Sequence, residues 1–392
     1  MPDPSRPSSN RPFVGFGFGP IQSGLFIYEA LRSGNFSRLV IAEVDAALVR
    51  AVRVAGGMCR INIAHPTGIT SETLGPLQML NPTVEEDRGP LIEAIAAADE
   101  LATALPSVEY YTRGGEASVA NLLAAGLGAS VKPRIVYTAE NHNHAADILE
   151  AAVGPRAHVQ FLNTVIGKMS GVITEASEQR RLGLAPLAPG LDRAVLVEEF
   201  NRILITRVAL PGFTRGIGVF EEKPDLLPFE EAKLYGHNAI HALLGFWAHE
   251  RGYRYMSEAG PDRALMRFAR DAFLSECGAG LIHRHAGVDP LFTTDGFRAY
   301  ADDLLARMVN PFLCDPVARV IRDPQRKLGW DDRLMGAMRL VCAAGVRPER
   351  LASGARLALR DGLRDTWPAA VRDSDTAHLI LKLIVENKTR LE

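Results

Sequence analysis

Residues 13–31 constrain the fold most, because they contain a short apolar strand, a glycine-rich turn and a helix in immediate succession. The turn follows the strand of residues 13–16 and precedes the predicted helix of residues 25–31. In this context the backbone N–H groups at the start of a helix bind the pyrophosphate of a dinucleotide. The predicted cofactor contacts are Gly17, Gly19, Pro20, Ile21 and Gln22. An ordinary strand–helix connection is the alternative, since Gln22 occupies the third glycine position of the usual motif.

The next predicted strand, residues 39–44, has an acidic side chain near its end, Glu43. A carboxylate at this place accepts hydrogen bonds from the adenine ribose and repels a 2′-phosphate. No arginine follows closely in the sequence, so the pattern favours NAD(H) over NADP(H) as the cofactor. Asp45 is the alternative acid if the strand ends later, and a solvated turn acid without a ligand is the other interpretation.

Strand and helix patterns continue to alternate, which predicts a parallel α/β sheet. We expect a disordered leader over residues 1–12, a Rossmann-type NAD-binding domain over 13–208, and a mainly α-helical substrate domain over 209–392. The further predicted strands are residues 59–65, 100–105, 134–139 and 158–163, followed by a strand pair or one long strand over 195–207. The predicted helices of the second part include residues 263–276, 294–308, 330–344 and 376–386.

A predicted helix over residues 229–247 is largely apolar but carries four polar side chains. At about 100° per residue, Lys233, His237 and His241 lie within about 80° of one another, and Asn238 lies at about 140°. Burying these groups without partners costs several kcal/mol, so we expect them to line a cleft or to meet a ligand. A buried helix whose polar groups are satisfied internally is the alternative.

The Lys-x4-Asn-x2-His spacing of Lys233, Asn238 and His241 resembles the signature of the polyol-specific long-chain dehydrogenases, and most of all their mannitol-1-phosphate 5-dehydrogenases and mannitol dehydrogenases. In that family the lysine is the catalytic base, and the asparagine and histidine place the reacting oxygen. The resemblance covers nearly the whole chain after Pro12. It implies a 6-phosphogluconate-dehydrogenase-like fold. His237, on the same side of the helix as Lys233, is a further candidate substrate contact.

Three further segments carry the resemblance: residues 310–320 are similar to the family's Asn-Pro-Tyr-Leu segment, residues 322–328 to its Arg-x-Pro-x-Arg-Lys-Leu segment, and residues 332–334 to its Asp-Arg-Leu. Arg326 and Arg333 are therefore candidate contacts for a substrate phosphate, or else they pin helices through carboxylates and carbonyls. Asn141 follows a strand that resembles the family's Cys-Glu-Asn segment. It is a candidate second amide for the substrate oxygen, or a turn-forming asparagine.

One segment departs from the family. Where mannitol-1-phosphate dehydrogenases have Val-Asp-Arg-Ile-Val-Pro, residues 162–167 read Leu-Asn-Thr-Val-Ile-Gly. Asn163 and Thr164 thus replace an Asp-Arg pair near the substrate. We expect the chemistry to survive this change, but not the preference for mannitol 1-phosphate.

The composition is that of an ordinary globular protein, with 47% hydrophobic residues, 23% charged residues and a formal net charge of −2. No basic surplus points to nucleic acid, and no apolar run is long enough to span a membrane. Four cysteines without a CxxC pair and no secretion signal favour a cytoplasmic protein. A monomer or a homodimer is expected.

The sequence therefore predicts a metal-independent oxidoreductase that moves hydride between NAD(H) and a secondary alcohol of a polyol, a sugar alcohol or its phosphate. A cyclitol or a specialised metabolite as substrate, or a catalytically idle NAD-binding regulator, are alternatives on the same scaffold. A metalloenzyme is a different class: His237 and His241 have i, i+4 ligand spacing, but Asn238 stands where the HExxH motif has its glutamate.

Overall fold

The computed structural model describes residues 11–128, 132–359, 367, 372 and 374–389. The chain forms two compact units that divide between Leu226 and Leu227. The sequence analysis places the domain boundary earlier, between residues 208 and 209. The later division follows from strand pairing, because Glu221–Lys223 pairs with Leu204–Thr206 and so belongs to the first unit.

The first unit is built from strands and short helices. Its strands are β1 Pro12–Phe16, β2 Arg38–Ala42, β3 Cys59–His65, β4 Gly68–Leu74, β5 Leu77–Leu80, β6 Glu100–Thr103, β7 Arg134–Thr138, β8 Val159–Val165, β9 Ser170–Ile173, β10 Ala194–Glu198, β11 Leu204–Thr206 and β12 Glu221–Lys223. Its helices are a π-helical segment Gln22–Ile27 that continues as α1 Tyr28–Ser33, then α2 Ala46–Val54, α3 Glu85–Ala97, α4 Val119–Leu127, α5 Ala145–Val153 and α6 Ala176–Leu182, with short 3₁₀ turns at Val108–Tyr111 and Gly115–Ala117.

Among the described residues, the main sheet has eight strands in the order β12-β11-β8-β7-β6-β1-β2-β5. The six strands from β8 to β5 are all parallel. This is the strand order of a doubly wound nucleotide-binding sheet, in which strands are added first on one side of β1 and then on the other. The predicted Rossmann-type fold of the first unit is confirmed, and its ligand edge is the carboxyl end of β1 and its neighbours.

The predicted strand at residues 59–65 exists, but it lies outside the main sheet. β3 pairs antiparallel with β4 from Cys59–Leu74 to His65–Gly68 and parallel with β10, in a second sheet of order β4-β3-β10-β9. The third strand of the nucleotide-binding order is instead β5, which the sequence analysis missed. A two-residue turn gives β3 a local antiparallel partner, so it never joins the parallel sheet. The predicted pair at 195–207 is likewise divided, with β10 in the second sheet and β11 in the main one.

The amino-terminal leader predicted over residues 1–12 is ordered at its last two positions, while residues 1–10 lie outside the described residues. Pro12 begins β1. The Arg11 guanidinium pairs with Asp99 at 3.1 Å and with the buried Glu100 carboxylate at 2.7 Å. These bonds fix the chain to the start of β6, so Arg11 and Pro12 are part of the first unit.

The second unit is helical in its described part, as predicted. Its helices are α7 Leu227–Glu231, a π-helical segment Ala232–Asn238, α8 Ala239–Glu250, α9 Arg263–Ala272, a π-helical segment Phe273–Gly278, α10 Ala279–His285, α11 Thr294–Met308, α12 Val317–Ile321, α13 Pro324–Lys327, α14 Arg333–Ala343, α15 Glu349–Ala358 and a last helix Asp375–Glu386, with 3₁₀ turns at Met256–Ala259 and Pro290–Phe292. The buried helix α8 packs against α12 and α15, and the π-helical segment before it packs against α14. In the described part of the chain, no helix is both long and apolar enough to cross a membrane.

Candidate active site

The glycine turn lies directly beyond the carboxyl end of β1, between Phe16 and the helix that starts at Pro20. Gly17 has φ 79°, and a Cβ there would lie 2.8 Å from the Ala104 carbonyl oxygen, so only glycine fits. At Gly19, apart from its own atoms and its two chain neighbours, no heavy atom of the described residues lies within 4 Å of where a Cβ would stand. The backbone is therefore open to the close approach that a pyrophosphate requires.

Gln22, the residue in the third glycine position, is fully buried at the start of the π-helical segment. Its amide lies over Gly15 of β1, where a Cβ would overlap it. Helix and strand thus approach closely because the glycine is on the strand instead of on the helix. Neither amide atom of Gln22 has a hydrogen-bond partner among the described residues. Gln22 therefore acts in the packing of the turn.

Replacing Gln22 with methionine is expected to raise the free energy of unfolding by about 1–3 kcal/mol, because an unsatisfied buried amide is removed at nearly constant volume. Urea unfolding of the whole chain measures the change. The matched control is Ser23→Ala on the same helix. The Ser23 hydroxyl donates to the Gly19 carbonyl oxygen at 2.9 Å, so this variant should lose stability. Destabilisation by Gln22→Met would mean that the amide is satisfied.

Glu43 follows β2 directly, at the place predicted for the ribose-binding acid. Its Oε2 accepts a hydrogen bond from the Phe18 N–H in the glycine turn at 2.7 Å, and its Oε1 accepts one from the Asp45 N–H at 2.8 Å. Asp45, the alternative acid, instead caps α2 by accepting from Ala47 and Leu48. The structure therefore places Glu43 beside the turn and gives Asp45 a capping role.

Asn141 lies beyond the carboxyl end of β7 and is exposed. The preceding Glu140 is buried and accepts hydrogen bonds from Thr103 Oγ1 at 2.9 Å and from the Leu105 N–H at 2.8 Å. Burial raises the pKa of Glu140 above its usual value. In this segment the glutamate ties neighbouring strands together, and Asn141 is left at the ligand edge of the sheet.

Asn163 and Thr164, which replace the family's Asp-Arg pair, lie on β8. The Asn163 Oδ1 accepts from the Ala146 N–H at 2.9 Å, and the Thr164 hydroxyl donates to the Thr138 carbonyl oxygen at 2.8 Å. Both side chains serve the packing of the first unit.

The segment that carries Lys233 and Asn238 is π-helical over Ala232–Asn238. In a π-helix the hydrogen bonds run from residue i to i+5, so residue 238 takes the position relative to residue 233 that residue 237 takes in an α-helix. The predicted separation of about 140° between the two side chains, which assumes an α-helix, is therefore wrong. The π-helical segment brings the lysine and the asparagine onto one face, and such segments are frequent at functional sites.

Lys233 is a partly buried residue whose charged form is disfavoured. The pKa of Lys233 is lowered to about 8, mainly by loss of solvation, with the negative charge of Glu230 raising it and the positive charge of Arg333 lowering it. Arg333 is near because α14 packs against the π-helical segment. A lysine with this pKa is populated in both protonation states near neutral pH, as a general acid or base must be.

His237 and His241 lie one above the other, with ring centroids 6.1 Å apart. Burial lowers the pKa of His237 well below its usual value, and the charges of His241, Arg307, Lys233 and Arg333 add to this effect. His237 is therefore neutral at physiological pH and can offer only hydrogen bonds.

His241 has a partner that the sequence analysis missed, Asp315, whose Oδ2 lies 3.1 Å from the His241 Nε2. Burial alone would raise the pKa of Asp315, but His241 and Arg319 lower it below its usual value. The preceding residue, Cys314, has φ 50°, in the left-handed region that non-glycine residues avoid. Such backbone strain clusters at functional sites, and here it directly precedes Asp315.

The two arginines predicted to contact a phosphate are already paired with neighbouring carboxylates. Arg326 is exposed and pairs with Asp323 at 3.0 Å, and Arg333 pairs with Asp332 at 2.8 Å. Only Arg333 acts on the Lys233 site, through the pKa of that lysine. Arg326 instead pins the turn before α13.

In the part of the chain that the structure describes, no group of three or more His, Cys, Asp or Glu side chains is placed to hold a metal ion. Two further histidines, His285 and His144, are each paired with a single carboxylate. His285 pairs with Glu231 at 2.7 Å, and the exposed His144 pairs with Asp147 at 3.3 Å. The metal site considered in the sequence analysis thus lacks a third ligand there.

Comparison with known proteins matches residues 225–360 to the mannitol dehydrogenase C-terminal domain. The chain is 28% identical over 372 residues to mannitol-1-phosphate 5-dehydrogenase of Bacillus licheniformis, a match that covers 91% of this chain and 89% of that protein. It is 29% identical over 373 residues to the enzyme of the same name from Pseudarthrobacter chlorophenolicus, covering 94% and 89%.

Two solved structures share the fold at low sequence identity. D-sorbitol dehydrogenase, in substrate-free form, has a TM-score of 0.74 and 16% identity, over 97% of this chain and 94% of that one. Pseudomonas fluorescens mannitol 2-dehydrogenase, solved with NAD and D-mannitol, has a TM-score of 0.66 and 16% identity, over 97% and 86%. Residues 225–360 thus match the mannitol dehydrogenase C-terminal domain, and the resemblance to mannitol dehydrogenases that the motifs predict is confirmed.

Proposed function

We propose that the chain is an NAD-dependent dehydrogenase of a polyol, a sugar alcohol or its phosphate, with Lys233 as the general acid and base. The observation that carries the proposal is a lysine with a pKa of about 8 that shares a π-helical segment with Asn238, within a mannitol dehydrogenase C-terminal domain. The relatives named mannitol-1-phosphate 5-dehydrogenase, matched over 89% of their length, support the same reaction class.

The first unit would hold the dinucleotide. The open backbone at Gly19 and the N–H groups at the helix start would receive the pyrophosphate, and Glu43 would accept hydrogen bonds from the adenine ribose. Glu43 already accepts a hydrogen bond from the Phe18 N–H, so its carboxylate is held at the edge of the turn. When bound, NAD supplies the hydride acceptor, and the protein contributes position and electrostatics.

The second unit would handle the proton. Neutral Lys233 accepts the proton of the reacting hydroxyl, and Asn238, on the same face, donates a hydrogen bond to the oxygen as negative charge develops on it. His241, held by Asp315, orients the substrate or the lysine. Glu230, whose charge acts on Lys233, would pass the proton onward. Glu231 is buried and bound to His285 and Arg284, which ties it to α10.

The pH dependence follows from the protonation state that each direction needs. Polyol oxidation needs neutral Lys233, so its kcat/KM should rise with pH through about 8, the pKa of this lysine. Ketone reduction needs the protonated lysine, so its rate should fall over the same range. Initial rates in both directions, measured from pH 6 to 10, check this; the range is on the order of two units either side of the lysine pKa.

Two variants test the assignment of this pKa by moving it in opposite directions. Arg333→Gln removes a charge that lowers the pKa of Lys233. The pH limb of oxidation, which is the range over which kcat/KM rises, should therefore move to higher pH. Glu230→Gln removes a charge that raises the pKa, so the limb should move to lower pH. A limb that stays in place in both variants would belong to another group.

The function itself is tested by a screen of polyols and polyol phosphates with NAD, following NADH absorbance. We expect turnover of at least one open-chain polyol or polyol phosphate, and poor turnover of mannitol 1-phosphate. Asn163 and Thr164 carry no charge and are bonded within the first unit, and Arg326 and Arg333 are paired with carboxylates. Tight NADH binding without turnover of any polyol would favour the idle regulator instead.

A further inference from the structure

We infer that Arg193 is a latent contact for the 2′-phosphate of NADP(H), and that Asp45 makes the glycine turn selective for NAD(H) by holding Arg193. This inference rests on the proposed binding of a dinucleotide at the turn. It assigns a role to two residues that the sequence does not associate, since they are 148 positions apart.

A continuous chain of hydrogen bonds leads from the glycine turn to Arg193. The Phe18 N–H donates to Glu43, and the other carboxylate oxygen of Glu43 accepts from the Asp45 N–H. The Oδ1 of Asp45 caps α2, while its Oδ2 accepts from the Arg193 Nη2 at 2.8 Å. Through its bond to Asp45, the Arg193 guanidinium is thus held close to the end of β2, where the adenine ribose of a dinucleotide lies in this fold.

Arg193 is the residue directly before β10, which is a strand of the second sheet. The sequence analysis found no arginine close after β2, because this one reaches the site from a distant part of the chain. Among the described residues, the Arg193 guanidinium donates a hydrogen bond only to Asp45, so its other N–H groups are available to a ligand. Guanidinium groups match phosphate bidentately, so an arginine at this place suits a 2′-phosphate.

The balance of charge explains why the arrangement would reject NADP(H). Glu43 and Asp45 place two carboxylates against the single guanidinium of Arg193, so the group is net negative. The pKa of Asp45 lies below its usual value, through hydrogen bonds from the Leu48 and Ala47 N–H groups and the Arg193 charge, so this carboxylate is ionised at neutral pH. Removing the Asp45 charge leaves Glu43 and Arg193 in balance and frees the guanidinium.

The ion pair is not needed to hold the fold together. The Asp45 and Arg193 side chains are 33% and 35% exposed, and ion pairs of this exposure add little to stability. Asp45 stabilises the fold by capping α2, and serine provides such a cap without a charge. Asp45→Ser therefore separates the two roles of this residue.

The test is direct titration with NADH and with NADPH, followed by nicotinamide fluorescence, on the full-length chain. Asp45→Ser should bind NADPH about tenfold more tightly or better, the effect of one new charge-assisted hydrogen bond. Its affinity for NADH should change by less than about twofold, because the ribose contact of Glu43 remains. Adding Arg193→Gln to Asp45→Ser should abolish the gain for NADPH.

Three other results are informative. An unchanged NADPH affinity in Asp45→Ser, with NADH binding intact, would overturn the inference and leave the proposed function standing. A gain that survives Arg193→Gln would show that lost repulsion alone is responsible, which also overturns it. A wild-type chain that binds neither dinucleotide would reject the proposed function and this inference with it. If circular dichroism shows that Asp45→Ser does not fold, Asp45→Asn, which also caps a helix, takes its place.

Discussion

Replacing Lys233 with alanine is expected to lower kcat for polyol oxidation by about 10²- to 10⁴-fold, because the transition state loses its proton acceptor. The site's other polar groups are left without a partner, which adds to the loss. The fold and the affinity for NADH should be retained, since the dinucleotide is proposed to bind at the glycine turn of the first unit. Steady-state kinetics and NADH titration of the same preparation measure both effects.

Chemical rescue distinguishes a missing base from a damaged site. A small primary amine should partly restore the turnover of Lys233→Ala by filling the space that the side chain leaves. Lys233→Met is the matched control, because its apolar side chain fills that space without offering a base, so the amine should have no effect on it. A folded Lys233→Ala protein with near full activity would refute the mechanism and return this segment to a purely structural role.

Those parts of the fold that depend on local chemistry could be predicted from the sequence. The glycine turn is one example: β1, Gly17 and the following helix are adjacent in the chain, and the positive φ of Gly17 needs the residue type that the sequence shows. Glu43 is another, since its place follows from the end of the neighbouring strand. The predicted helices of the second unit are also present, because their apolar periodicity is a local property.

Pairing between distant segments could not be predicted. β3 has the apolar pattern of a buried strand in any sheet, and its exclusion from the main sheet depends on β10, which follows much later in the chain. For the same reason, the partners of two site residues could not be predicted from the sequence. His241 meets Asp315 and Asp45 meets Arg193 only through the tertiary fold, and neither acid has a sequence pattern that sets it apart from a helix cap.

The π-helical segment is a different kind of omission. The α-helical period places Asn238 away from Lys233, and a run of mixed apolar and polar residues does not reveal a change in helical period. What the sequence did show is the pair of residue types, Lys233 and Asn238, at a spacing of five. That spacing matches the i to i+5 hydrogen bond of a π-helix, and it is the local signal that the sequence carries for this segment.

Replacing Asn238 with alanine is expected to lower kcat by about 10²- to 10³-fold, with a smaller change in KM. The amide would donate to the substrate oxygen, and such a donor contributes most when negative charge develops in the transition state. Asn238→Asp is the matched comparison: it keeps the shape of the side chain but exchanges the donor for a negative charge. It should therefore be at least as slow as Asn238→Ala.

The same two variants also read out the placement of Asn238 beside Lys233. A carboxylate on the face of Lys233 stabilises the ammonium form, so Asn238→Asp should move the pH limb of oxidation to higher pH, whereas Asn238→Ala should leave it near its original place. Full pH profiles of both variants, measured beside the wild type, check this. If Asn238→Asp slowed the reaction without moving the limb, the two side chains would not share a face, and the oxygen-stabilising role would have to pass to another amide, with Asn141 as the next candidate.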